Sequence, residues 1–229
     1  LGLALAIKPW VVMFVPLTLA TEGTWWRRLS GPATSVAVGS LFWLPFVVAS
    51  PDTLDGLRPS VEVARDSIVH LVARDGLTSV PAALRMAQLL LGVAVVTWTV
   101  VRGQLSCALL AGIAVRLLFE AATWPYYTAA LVLGALVWDV LESRAVLPWA
   151  TITAAVLVFP PWWFDAPDVR ASMRLVACLG ALELVRRTVT RAGLGSAEGG
   201  AGAARGGEDV LVELDAESGC VGELEPTAV

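Results

Sequence analysis

Charged side chains are scarce in this sequence. They account for 16% of its 229 residues, whereas 57% are hydrophobic and the mean hydropathy is +0.73. Soluble domains carry roughly 25% charged residues. A single soluble core of this length could not bury so much apolar surface, but a lipid bilayer could. The composition therefore excludes an ordinary soluble domain and predicts an integral membrane protein.

Cysteine and histidine are also rare, which argues against a metal site or a redox site. The three cysteines form no CxxC pair, and the single histidine, His70, lacks the partners of a metal site. The sequence contains no GK[ST] phosphate-binding loop and no basic patch with interleaved aromatics of the kind that binds nucleic acid. We therefore expect no metal, no cofactor and no nucleic-acid partner.

Apolar runs of helical length recur through the first 192 residues. A spanning helix needs about 20 predominantly apolar residues. The predicted fold class is all-α, a polytopic transmembrane helix bundle of about seven spans that forms one domain, 1–192. Because Leu1 already lies inside the first run, we expect this chain to be part of a longer protein. The predicted spans are 1–20, 33–50, 80–101, 105–123, 124–141, 148–164 and 169–185.

The last residues, 193–229, differ in composition from the rest of the chain. They are rich in Gly, Ala and Glu, show no apolar periodicity, and carry eight acidic residues against one arginine, Arg205. Such a segment buries too little apolar surface to offset the entropy of ordering. It is predicted to be a disordered acidic tail.

Basic residues fall in alternate loops between the predicted spans, and loops of this kind face the cytoplasm. The chain is thus predicted to be a multi-pass plasma-membrane protein in contact with membrane lipids. Its tail is predicted to be cytoplasmic and the segment 51–79 extracytoplasmic. The basic residues that give this orientation are Arg27, Arg28, Arg102, Arg144, Arg186, Arg187 and Arg191.

The outer segment 51–79 is the longest polar stretch between predicted spans. Apolar residues from Val61 to Val72 recur at helical spacing, which predicts an amphipathic helix on the membrane surface, beginning near Pro59. Its polar side is either a solvated face or a lid over an active site. The residues predicted on that side are Arg58, Glu62, Arg65, Asp66 and His70.

Lys8 is the clearest charge inside a predicted span, where ionisable groups are costly and therefore mark candidate sites. It precedes Pro9, which removes a backbone donor and kinks a helix. A lysine beside such a kink could bind an anion such as a lipid phosphate. The alternative is a lysine whose ammonium group reaches the membrane surface.

A second charged pair lies near the outer end of the fourth predicted span. Arg116 and Glu120 are four residues apart, a spacing that puts them on one helix face. They are either a pair lining an outward cavity or a structural ion pair between helices. Tyr126 and Tyr127 follow at the same outer boundary, where aromatic rings favour the headgroup layer. Arg85 and Arg174 are expected at outer helix ends, and Asp139 and Glu183 at inner ones.

Three stretches carry a family resemblance: "GLALAIKPWVVMFVPLTL", "LRPSVEVARDS" and "WPYYTAALVLGALVWDV". They resemble the C-terminal half of actinobacterial C-type glycosyltransferases. The nearest group is the polyprenyl-phosphate-mannose-dependent alpha-mannosyltransferases of glycosyltransferase family 87. The resemblance covers roughly residues 1–185.

The resemblance implies a function for the whole protein. Such enzymes pass a sugar from a polyprenyl phosphate donor to a hydroxyl outside the plasma membrane. Their catalytic base is an acidic residue in the first outer loop, which no residue of this chain matches. Lys8 is expected near the donor phosphate by resemblance, and Arg116 is a second candidate because a cation there could stabilise the leaving phosphate. A transporter or flippase and a non-catalytic membrane subunit are the alternatives.

Overall fold

The computed structural model describes residues 1–21, 23–50, 52–53, 62–73, 76–122, 124–159 and 165–214, with the backbone alone for 194–214. These residues confirm the prediction of a helical protein, since they contain helices and turns but no β-strand beyond an isolated bridge between Glu62 and Ser79. The chain divides into two units, Leu1–Val189 and Thr190–Val229.

The helices of the described residues follow one another along the chain. A 3₁₀ segment, η1, lies between the first two α-helices. The elements are α1 (Gly2–Ile7), η1 (Pro9–Ala20), α2 (Trp25–Ala49), α3 (Ile68–Ala73), α4 (Ala82–Val101), α5 (Leu105–Leu118), α6 (Pro125–Glu142), α7 (Trp149–Val158) and α8 (Pro167–Leu214).

Helix α5 is the centre of the first unit and is buried along nearly its whole length. Elements η1, α4 and α6 pack around it, and α1 packs on α2. Glycines allow the closest approaches. A Cβ on Gly112 of α5 would lie 2.5 Å from Phe14 Cε1, and one on Gly92 of α4 would lie 3.0 Å from Met13 Cε. Element η1 therefore sits against α4 and α5 with its side chains directed into the core.

The first predicted span, 1–20, is two elements rather than one helix. Lys8 is extended, with φ −137° and ψ 96°, and separates α1 from η1. Proline disfavours the helical conformation of the residue before it, which accounts for the break before Pro9. Lys8 still donates its backbone N–H to Ala4 O over 2.9 Å, and its carbonyl accepts the Val11 N–H.

Two of the helices in the described part of the chain, α2 and α4, are long and apolar enough to cross a membrane. The other predicted spans are not confirmed as crossings. Helix α5 has 14 residues, which cover about 21 Å at 1.5 Å per residue, against a hydrocarbon core about 30 Å thick. Helix α7, with 10 residues, is shorter still. Part of the span predicted at 148–164 lies outside the described residues.

The backbone of the C-terminal residues is helical through Leu214. The disorder of the tail, 193–229, stays a prediction. Residues 215–229 of the predicted tail lie outside the described part.

The outer segment also departs from its prediction, because its helix begins six residues after Glu62. Ser67 provides the N-terminal cap: its Oγ accepts the His70 N–H over 3.0 Å. A serine that caps in this way fixes the first turn. Helix α3 is therefore only Ile68–Ala73, and its first two residues, Ile68 and Val69, are buried in the protein rather than laid on a membrane.

Candidate functional site

The guanidinium of Arg116 lies between two aromatic rings. Its Cζ is 4.3 Å from the centroid of the Trp10 ring and 4.5 Å from that of Tyr127. Arg116 is only 7% exposed. Planar guanidinium groups stack on aromatic faces, and the attraction between cation and ring is strengthened by burial. The two rings therefore hold the charge of Arg116 in a fixed position at the end of α5.

The partner of Arg116 is the residue expected from the sequence. Glu120 Oε2 lies 2.7 Å from Arg116 Nη2, and the side chains are 9% and 16% exposed. Glu120 lies beyond the last residue of α5, Leu118, and its backbone N–H donates to Leu117 O.

Two buried donors in this cluster have no acceptor among the described residues: Trp10 Nε1 and Arg116 Nε. Buried polar groups in proteins are nearly always hydrogen-bonded, and leaving a donor unsatisfied costs about 1–3 kcal/mol. A ligand that supplies an oxygen acceptor would satisfy a donor of this kind. The arrangement therefore suits an oxyanion.

Lys8 stands at the rim of the same aromatic group. Its Nζ lies 5.7 Å from the centroid of the Tyr126 ring. Tyr126 contacts Tyr127 edge to face, with centroids 4.2 Å apart, and Trp124 stacks on Tyr126 at 6.4 Å. Lys8 is exposed, in contrast to Arg116. The structure thus brings both predicted phosphate-binding cations, Lys8 and Arg116, to one aromatic cluster.

The local fold places this cluster by a few specific contacts. Gln88 of α4 donates from Nε2 to Arg116 O over 2.8 Å, which fixes the last turn of α5. Phe14 meets Trp10 edge to face at 6.2 Å and fills the space over Gly112. Sequence reasoning missed Trp10 and Gln88. Two sequence features could have marked these residues as site candidates. Trp10 lies two residues after Lys8, and Gln88 is a polar residue within an apolar span.

The remaining predicted cavity and lid residues are not gathered at one place. Glu62 forms the isolated bridge to Ser79, and Arg65 is exposed in the turn before α3. His70 is half-buried at the start of α3 and uses its backbone N–H on Ser67. Arg58 lies outside the described residues. The predicted polar face of an outer amphipathic helix is therefore not formed by the described residues.

Asp66 is instead part of a second charged cluster. It receives hydrogen bonds from Arg174 Nη1 at its backbone oxygen and, over 2.9 Å, at Oδ2. Arg170 Nε lies 3.7 Å from the same Oδ2. Arg174, predicted at an outer helix end, is buried in this pair. The pair ties the segment before α3 to α8.

Asp139 also differs from its prediction as an interfacial residue. It is buried, and its Oδ2 accepts the backbone N–H and the hydroxyl of Thr151, each over 2.7 Å. It therefore caps the start of α7 from α6. Asp139 borders an apolar cavity of about 460 Å³ between α6, α7 and α8, and none of the predicted site residues lines that cavity. Glu183, also predicted near an inner end, pairs with Arg186 and Arg187 on the exposed surface of α8.

The sequence matches no family model, no curated protein and no solved structure. The family resemblance of the three quoted stretches therefore stays a prediction.

Proposed function

We propose that this chain is part of an integral membrane glycosyltransferase, and that the Arg116 cluster binds the phosphate of a polyprenyl phosphate-linked sugar, mannose by resemblance. The observation that carries the proposal is the Arg116 guanidinium, which is buried between Trp10 and Tyr127 and whose Nε, like Trp10 Nε1, lacks an acceptor among the described residues. Lys8 adds a second cation at the rim of the cluster.

The chemistry of sugar transfer fits these parts. The acceptor hydroxyl oxygen forms a bond to the anomeric carbon while the bond from that carbon to the phosphate oxygen breaks. The hydroxyl proton passes to a base, and the phosphate leaves with one more negative charge than it had in the donor. A fixed cation aimed at that oxygen stabilises the charge as it develops. By resemblance, the base is an acidic residue of the first outer loop, which no residue of this chain matches.

The membrane part of the proposal is a bundle with about seven crossings, a cytoplasmic tail and an outer side that carries the Arg116 cluster. Helix α2 supports it, since Phe42, Phe46 and Val48 are large apolar side chains exposed on its surface. Lipid chains would cover such side chains. The rings of Trp124 and Tyr126, exposed beside Lys8, suit the headgroup layer on the same side.

Binding of the donor tests the proposal directly. The chain would be reconstituted in phosphatidylcholine vesicles and titrated with radiolabelled polyprenyl phosphate-mannose. A variant with both Arg116→Gln and Glu120→Gln removes the cation without leaving a buried carboxylate unpaired. We expect it to bind the donor roughly ten- to hundredfold more weakly, because a hydrogen bond to a charged group contributes about 1.5–3 kcal/mol.

The matched control is Arg102→Gln, which removes an exposed arginine from the opposite end of α4 relative to Gln88. It should bind the donor like the wild type. Equal loss of binding in both variants, or unchanged binding in the double variant, would contradict the proposal.

A transporter is the second candidate, and the break between α1 and η1 favours it. Transporters place ligands at discontinuous helices, and Lys8 lies at such a break. Movement of the labelled donor across the vesicle membrane without transfer of its sugar would support this alternative.

A further inference from the structure

Positive charges outnumber negative charges around Arg116. Two cations lie at this cluster: Lys8 at the rim and Arg116 between the rings. Glu120 is the only carboxylate that the described residues pair with either of them. A site with such an excess of positive charge holds an anion more tightly the more charge the anion carries.

Glu120 reduces that excess at the point where an anion would bind. Its Oε2 lies 2.7 Å from Arg116 Nη2, and the rings on either side prevent the guanidinium from turning away. A ligand that accepts from Arg116 Nε must therefore lie beside the carboxylate. Like charges placed side by side oppose binding, and proteins use such repulsion to reject unwanted ligands.

We propose that Glu120 lowers the preference of this site for the more highly charged ligand, so that a phosphomonoester is held less tightly, relative to a phosphodiester, than it would be without the carboxylate. The inference rests on the proposed function, in which the donor is a diester and the product a monoester. A phosphodiester carries one negative charge. The second pKa of a phosphate monoester is about 6, so at pH 8 the monoester carries nearly two.

The consequence for an enzyme would be faster release of product. The donor meets one unit of repulsion from Glu120, and the spent polyprenyl phosphate meets nearly two. Release of product limits the turnover of many enzymes. A carboxylate next to the phosphate cation would thus keep the site from being blocked by its own product.

Glu120 contributes little to holding the helices together. Its partner Arg116 is on the same stretch of chain, four residues away, and its backbone N–H bonds to Leu117 O. Both links are local. A purely structural carboxylate would be expected to join separate elements, as Asp66 does with α8.

The experiment compares two simple lipids at pH 8, dodecyl phosphate and dodecyl methyl phosphate, in phosphatidylcholine vesicles that contain the full chain. Glu120→Gln keeps the size of the side chain and removes its charge. We expect the variant to bind the monoester roughly tenfold more tightly than the wild type does, and the diester only about threefold more tightly. Glu183→Gln, an exposed glutamate paired with two arginines on α8, should leave both affinities unchanged.

The outcomes separate this inference from the proposed function. Equal changes for the two lipids, or weaker binding of both by Glu120→Gln, would overturn the role of Glu120 while leaving the phosphate site standing. Failure of the wild type to bind either lipid would overturn both. If Glu120→Gln does not fold, Glu120→Ala makes the same comparison, and Glu120→Asp, which keeps the charge, should retain the wild-type ratio of affinities.

Discussion

Two buried arginines in this protein form ion pairs of opposite kinds. Arg116 pairs with a carboxylate four residues away on the same stretch of chain, and its charge lies between the rings of Trp10 and Tyr127. Arg174 pairs with Asp66, 108 residues distant, and also bonds to the Asp66 backbone. The distant pair joins separate elements, whereas the local pair joins none. Two arginines that are equally buried, at 7% and 9% exposure, can thus differ in what their ion pairs connect.

Removal of the Asp66 charge should have the largest effect on stability. Asp66→Asn leaves Arg174 buried without its carboxylate, and breaking a buried pair costs about 3–5 kcal/mol. We expect a loss of about 3 kcal/mol in the free energy of unfolding, measured by denaturant titration in detergent. The folded fraction of this variant should still bind polyprenyl phosphate-mannose. If the variant were stable but no longer bound the donor, the Asp66–Arg174 pair would be needed for binding, and the assignment of that role to Arg116 would be contradicted.

A methyl group at Gly112 should disturb the Arg116 cluster without changing any charge. The added Cβ would lie 2.5 Å from Phe14 Cε1, so the ring must shift, and Phe14 supports Trp10. We expect Gly112→Ala to lose about 1–3 kcal/mol of stability, as overpacked cores do, and to weaken donor binding. Gly180→Ala is the control, because nothing lies within 4 Å of a Cβ at that glycine. Unaltered donor binding in folded Gly112→Ala would show that the position of Trp10 is unimportant.

Loss of the rim cation should have a smaller effect. Lys8 is exposed, and an ion pair at an exposed position contributes about 0.2–1 kcal/mol. We expect Lys8→Ala to weaken donor binding by about three- to fivefold, and to lower stability by no more than about 0.5–1 kcal/mol through the lost contact with Tyr126. Rescue by Lys8→Arg would confirm that the charge matters. A hundredfold loss would place Lys8, rather than Arg116, at the centre of the site.

Truncation after Ala192 should have the smallest effect. Both charged clusters lie in the unit Leu1–Val189, so neither loses a partner. We expect donor binding and thermal stability to match those of the full chain when both are measured in detergent. A marked loss of either would give residues 193–229 a role that their composition does not indicate.

The sequence predicts the local features of this structure well. Helices α4 and α6 lie within two residues of the spans predicted at 80–101 and 124–141, because apolar runs and flanking turns are local signals. The pairing of Arg116 with Glu120 follows from their spacing alone. The stacking of Trp10 on Arg116 and the bond from Arg174 to Asp66 do not, since each depends on how separate elements pack.

Two errors in the predicted helix boundaries share a physical cause. Each arises from a local backbone preference that the pattern of apolar residues does not reveal. Pro9 divides the span predicted at 1–20, and the cap at Ser67 delays the helix of the outer segment. Proline geometry and serine capping each act over a few residues. Hydrophobic periodicity averaged over a whole run cannot detect either effect.

The 3₁₀ winding of η1 changes how far the chain reaches. Twelve residues extend about 24 Å at 2.0 Å per residue, whereas the same residues in an α-helix would extend about 18 Å. With the six residues of α1, which add about 9 Å, the total is close to the thickness of a hydrocarbon core, about 30 Å. Rewinding η1 as an α-helix would shorten it by about 6 Å, close to one helical turn, and with Phe14 held over Gly112 it would move Trp10 along the axis by about 2 Å.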